Sequence, residues 1–156
     1  MKKAILPVLA NAGVLSITNH DLDPAHAYKV VKFRKALSNA LDALAKDEGS
    51  LRRDAGIEDA NAFDKELREL RNAKDRTETQ VTRLNEMEAM LKRFIDLRAQ
   101  MMDEDMTLDC KTLPYAEWHK LQCENKEKNI NGKKTDVLSG YVEDILEGVL
   151  WVAPEE

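Results

Sequence analysis

The chain has 156 residues, 34% of them charged and 5% aromatic, and a formal charge of −5. Acidic and basic residues interleave, so there is no basic block to neutralise a run of phosphates, and nucleic acid is not an expected partner. Two cysteines cannot make a disulfide framework and no apolar run approaches a membrane span, while abundant Ala, Leu, Glu, Lys, Arg and Met favour helix.

The first seventeen residues are apolar without a clear period. MKKAILPVLANAG imitates a secretory signal, but its apolar run over 4–10 is broken by Pro7 and sits at the low end of a signal's core, so an intracellular chain is expected. A short helix over 7–12, packed across a long second helix, is the local expectation.

Asp23 can accept from the free N–H groups of a first helical turn, and Pro24 follows where its missing N–H costs nothing. The spacing then predicts that long helix over about 23–54, the element around which the rest is organised. Val30, Phe33, Leu37, Ala40, Leu41, Leu44 and Leu51 recur at steps of three and four, opposite Lys32, Arg34, Lys35, Asn39, Asp42, Lys46 and Asp47. His20, Asp21, Asp23 and His26 stand close enough in sequence to draw as a metal site. Capping and loop polarity account for all four, and no metal is expected.

Gly56 supplies a stop, and Asp59 or Asn61 can cap the next helix. Phe63, Leu67, Leu70, Lys74, Thr77, Val81, Leu84, Glu88, Leu91, Ile95, Arg98 and Met102 alternate by four and three, a seven-residue repeat with a polar middle. It predicts a protruding coiled-coil-like arm over about 60–103, either a hairpin or two helices meeting near 76–80. Such a repeat could pack within the chain or between two chains. Met87, Met90, Met101, Met102 and Met106 are expected to fill core gaps. Over 106–113 the pattern MTLDCKTL alternates with period two, which suggests a short strand pairing with the N-terminal segment or with a second copy.

Thr112 is expected to cap a helix from Pro114 that presents Tyr115, Trp118, Leu121 and Gln122 on one face. His119 and Cys123 stand four apart, with Cys110 upstream. Three candidate ligands with no fourth and no C-x-x-C pair make a zinc or thiol-enzyme centre the least favoured reading. Residues 124–134 form a charged connector whose Asn131-Gly132 signals a turn. A last helix is expected from Thr135 to about Trp151, with Leu138, Val142, Ile145 and Val149 on one line and Tyr141 and Trp151 beside it. Gly140 and Gly148 weaken that helix, which should depend on packing. The chain holds no G-x-x-x-x-G-K-[ST], G-x-G-x-x-G, H-E-x-x-H or G-x-S-x-G. No catalytic or cofactor-binding residue is expected.

Ala27-Tyr28-Lys29 entering the Leu- and Lys-rich helix, the segment Phe63-Asp64-Lys65-Glu66-Leu67, the stretch MTLDCKTLPYAEWHKL and the closing LSGYVEDILEGVLW follow one another in an order that resembles a group of small, mostly helical proteins encoded in tailed bacteriophages and prophages. The resemblance covers about two thirds of the chain. Residues 76–100 are longer and more helical than it predicts. It implies a phage setting and a non-enzymatic role, and it brings no catalytic residues.

The expected fold is a single mostly α domain over 1–156, a helical bundle or hairpin built on the long helix with at most a small strand pair. Its expected core includes Val30, Phe33, Leu37, Leu41, Leu44, Leu67, Leu70, Leu84, Leu91, Ile95, Ile145 and Val149. The expected function is a phage or prophage accessory protein acting by protein–protein contact, as in virion or tail assembly. It would be a homo-oligomer in the host cytoplasm or on the virion, with no membrane and no small-molecule substrate. Leu84, Leu91, Met102, Tyr141 and Trp151 are the candidate interaction surface. The alternatives are an acidic inhibitor or regulator of a host protein, which clustering of acids on one face would favour, and an enzyme at Cys110, His119 and Cys123.

Overall fold

Asp23 starts the longest helix in the way its position dictates: its Oδ1 accepts the His26 N–H at 2.9 Å, ahead of α2 (Pro24–Asp54). Gly56, at φ 92°, ends it. The Gly56 N–H reaches the Arg53 carbonyl and the Ile57 N–H the Arg52 carbonyl, the pair of bonds that a left-handed residue after a helix makes available. The computed structural model describes residues 1–155. Besides α2 the chain forms α1 (Ile5–Asn11), α3 (Ala60–Asn72), α4 (Glu78–Met102), α5 (Tyr115–Glu124) and α6 (Tyr141–Leu146), with β1 (Lys128–Ile130) and β2 (Lys133–Thr135) as an antiparallel hairpin. The fold is mostly α with one small strand pair, as expected.

Two compact units share the chain. The first comprises Met1–Asp42 and the residues from Asp105 onward. Val30, Phe33 and Leu37 of α2 are fully buried in it, with Leu6 and Leu9 of α1 and Trp118 and Leu121 of α5. Trp118 and Trp151 stack at 5.6 Å, and both indole N–H groups donate to Glu143, one to its carboxylate and one to its carbonyl.

Ala43–Glu104 make the second unit. Its core is Ile57, Phe63, Leu67, Leu70 and Met87, with Leu84, Met90, Leu91 and Phe94 half-buried against it. Asp59 caps α3 through Ala62, and Thr77 and Gln80 form a reciprocal capping box on α4. Between them Arg76 donates to the carbonyls of Leu70 and Arg71, both at 2.7 Å, satisfying the open end of α3. The seven-residue repeat is thus broken at residues 73–77, where the polar middle suggested. Two forked ion pairs tie the hairpin, Arg83 to Glu66 and Arg71 to Glu88.

Four local expectations are corrected. Residues 106–113 form no continuous strand: Asp105 bridges Lys2 and Leu113 bridges Trp151, but the chain bends at Asp109, where the Cys110 N–H turns back to the Leu108 carbonyl. The strands lie instead on either side of Asn131-Gly132, whose positive φ values of 52° and 80° suit a two-residue hairpin turn. The last helix is α6 alone, because Gly140 and Gly148 both take positive φ. Leu150 then pairs with Leu113 through a backbone bond of 2.6 Å. Thr112 does not cap α5; Pro114 holds that place without a side-chain bond, and the Thr112 carbonyl accepts from Lys29.

Core membership shifts for related reasons. Leu41, Leu84, Leu91, Ile145 and Val149 are half-buried and Ile95 is 54% exposed. On α4 the inward line runs through Met87, Phe94 and Met101, one position ahead of Glu88, Ile95 and Met102. Met87, Met101 and Met102 are buried, as gap-filling methionines should be. Leu146 at the end of α6 and Leu150 beyond it are buried on either side of Gly148.

Candidate functional site

Cys110 does not join the histidine–cysteine pair. Its Sγ donates to the Val149 carbonyl at 3.3 Å, while Cys123 contacts His119 at 3.7 Å on the exposed face of α5. Burial, and then the charge of Asp109, push the Cys110 thiol above its ordinary value. That keeps it protonated at neutral pH, the opposite of an activated nucleophile or a thiolate ligand. His119 is stacked on Tyr115 at 6.4 Å. The geometry therefore speaks against the triad drawn from the sequence.

The loop that leads into α2 assembles differently from the sequence drawing. Asp23 and His26 come together, while the Asp21 N–H is turned to Glu124. Among the described residues, the ligating atoms that lie within 4.8 Å of one another belong to Asp23, His26 and Glu117 of α5. His26 Nδ1 is 2.8 Å from Asp23 Oδ2 and 3.7 Å from Glu117 Oε2. A cation here would face the positive end of α2 and the Lys120 ammonium, 3.0 Å from Glu117. Asp23 is also engaged by the His26 backbone N–H, which heads the causes that hold its carboxyl below the usual range. Asp23 and His26 hydrogen-bond each other, and the Glu117 carboxylate of α5 lies beside them with its Oε2 making no hydrogen bond to any described residue.

The five residues of the candidate interaction surface part company. Met102 and Trp151 are 8% and 7% exposed, a correction due to Met102 filling a core gap and Trp151 stacking on Trp118. Tyr141 is 59% exposed. Leu84 and Leu91 lie at the edge of the second unit's core, and Leu91 lines hollows of about 300 and 200 Å³. Val81 and Ile95, which the core expectation or the repeat pointed inward, are large apolar residues at the surface of α4.

No family model, curated protein or solved structure matches this chain. Its surfaces therefore carry the functional argument. Among the described residues, no helix is long and apolar enough to cross a membrane. In the second unit Glu48, Glu66 and Glu88 each hold an arginine, Arg98, Arg83 and Arg71 respectively.

Proposed function

We propose that this is a non-enzymatic accessory protein of a phage or prophage, working by protein–protein contact in virion or tail assembly, self-associating, and acting in the host cytoplasm or on the virion. The observation that carries the reading is the outer flank of α4. Val81 and Ile95, 43% and 54% exposed, stand two heptads apart, with Leu84 and Leu91 half-buried nearby. Apolar side chains held at the surface of a rigid helical hairpin are a feature of contact surfaces. The phage setting rests on the resemblance carried by Ala27-Tyr28-Lys29, Phe63–Leu67, MTLDCKTLPYAEWHKL and LSGYVEDILEGVLW.

Three ion pairs of the second unit count against the acidic-inhibitor alternative. A polyanion mimic needs unpaired acids on one face, whereas the carboxylates of Glu48, Glu66 and Glu88 are matched by guanidinium groups. The thiol-enzyme alternative is disfavoured by the upward shift of Cys110 and its bond to Val149. Capture of a tagged chain during infection or prophage induction, read by mass spectrometry, tests the reading. Tail, neck or capsid proteins are the expected prey, and a lone host protein would favour the inhibitor.

A further inference from the structure

The first turns of α2 and residues 109–111 enclose a hollow of about 320 Å³, at the small end of the range for ligand sites. Ala25, Tyr28 and the aliphatic stems of Lys29, Lys32 and Lys111 give it carbon walls, and Cys110 and Asp109 complete them. Helical spacing explains the first side: Val30 and Phe33 point into the core, which leaves Tyr28 and Lys32 on the outer face of the same turns. Tyr28 is 62% exposed, the most exposed large apolar side chain among the described residues.

Three lysines, Lys29, Lys32 and Lys111, line this hollow against the single carboxylate residue Asp109. Lys29 gives one hydrogen to the Thr112 carbonyl at 3.2 Å. Lys32 lies 5.8 Å from the centre of the Tyr28 ring, a cation–π contact that fixes the ring without neutralising the charge. Lys111 makes no hydrogen bond or ion pair with any described residue. On a chain of net charge −5, this is a local excess of positive charge around an apolar floor.

We propose that this hollow binds an acidic segment of a partner protein, seating one apolar or aromatic side chain on Tyr28 and placing flanking carboxylates on Lys32 and Lys111. The carbon walls require an apolar body, which an inorganic anion lacks. A nucleic-acid backbone requires a track of cations, whereas these three lysines line a single hollow. The proposal deepens the contact-protein reading but uses the other unit of the chain, so the two can fail separately.

The test is an array of random dodecapeptides probed with the full chain and with the Lys32→Glu/Lys111→Glu double variant, its fold checked by circular dichroism. Bound peptides should be enriched in Asp and Glu beside an apolar or aromatic residue. A synthesised hit should lose at least about tenfold in affinity to the double variant. It should lose about fivefold or more to Tyr28→Ala. It should bind a Val81→Asp/Ile95→Asp variant as well as the parent, which separates this site from the α4 surface. No acidic enrichment, binding that survives the double variant, or displacement of the hit by an equimolar oligothymidylate would overturn the proposal.

Discussion

The side chain of Asn125 pairs with the backbone of Thr18 in both directions. Its Oδ1 accepts the Thr18 N–H and its Nδ2 donates to the Thr18 carbonyl, both at 2.9 Å. The same Nδ2 also reaches the Leu121 carbonyl at 2.8 Å, so one fully buried amide closes α5 and anchors the loop that leads into α2. Every polar atom of the group is used, which is the condition for burying it without penalty. Asn125→Ala strands two backbone groups of Thr18 and should cost about 2–4 kcal/mol in urea unfolding. Asn125→Asp keeps the acceptor and loses both donor bonds, so it should be nearly as damaging at neutral pH.

Leu37 and Leu41 separate a buried stripe from its edge. Leu37 is fully buried, and Leu37→Ala should cost about 2–5 kcal/mol. Leu41 is half-buried, and Leu41→Ala should cost roughly half as much. Equal losses in denaturant midpoint at constant slope would mean that the stripe is covered equally along its length.

Gly13 holds φ 85°, and a Cβ there would meet Ile130 Cδ1 at 3.0 Å. Gly13→Ala should destabilise by about 1–3 kcal/mol, from left-handed strain together with the displaced isoleucine. Adding Ile130→Ala should not recover the strain component. Thermal unfolding of the single and double variants distinguishes the two contributions, and full recovery would make the contact the whole cause.

The Arg83 hydrogen bond holds the Glu66 carboxyl below its ordinary value of 4.5, and the Arg71 hydrogen bond does the same for Glu88. A depressed folded-state value means that the stabilisation is complete above the unfolded value and fades as pH falls through the folded one. The α3–α4 hairpin should therefore keep constant amide-exchange protection down to about pH 4.5 and lose part of it below. Glu66→Gln and Glu88→Gln together should flatten that loss.

Much of this fold is legible in the chain, and the failures have physical causes. Asp23-Pro24 and Gly56 mark the ends of α2 because capping and left-handed geometry are local properties of the chain. The break near residue 76 is visible as polarity, although the Arg76 side chain that seals α3 is not. Periodicity placed the inward line of α4 one position late, because Met87 and Phe94 fill the space better than the repeat's Glu88. β1 and β2 are three residues each and mostly polar, so only their turn announces them. At the candidate sites, sequence proximity suggested Cys110 with His119 and Cys123, while the fold brings Cys110 to Val149. Lys111 lines the same hollow as Tyr28 and Lys32 from a distant part of the chain, a juxtaposition that no local pattern encodes.

The most direct measurement is affinity capture of the tagged chain from cells during phage infection or prophage induction, run beside the Val81→Asp/Ile95→Asp variant. If α4 is the contact surface, the parent chain brings down phage tail, neck or capsid proteins, and the variant loses at least about tenfold of that capture. Absence of phage structural proteins, or capture that the variant leaves unchanged, would contradict it.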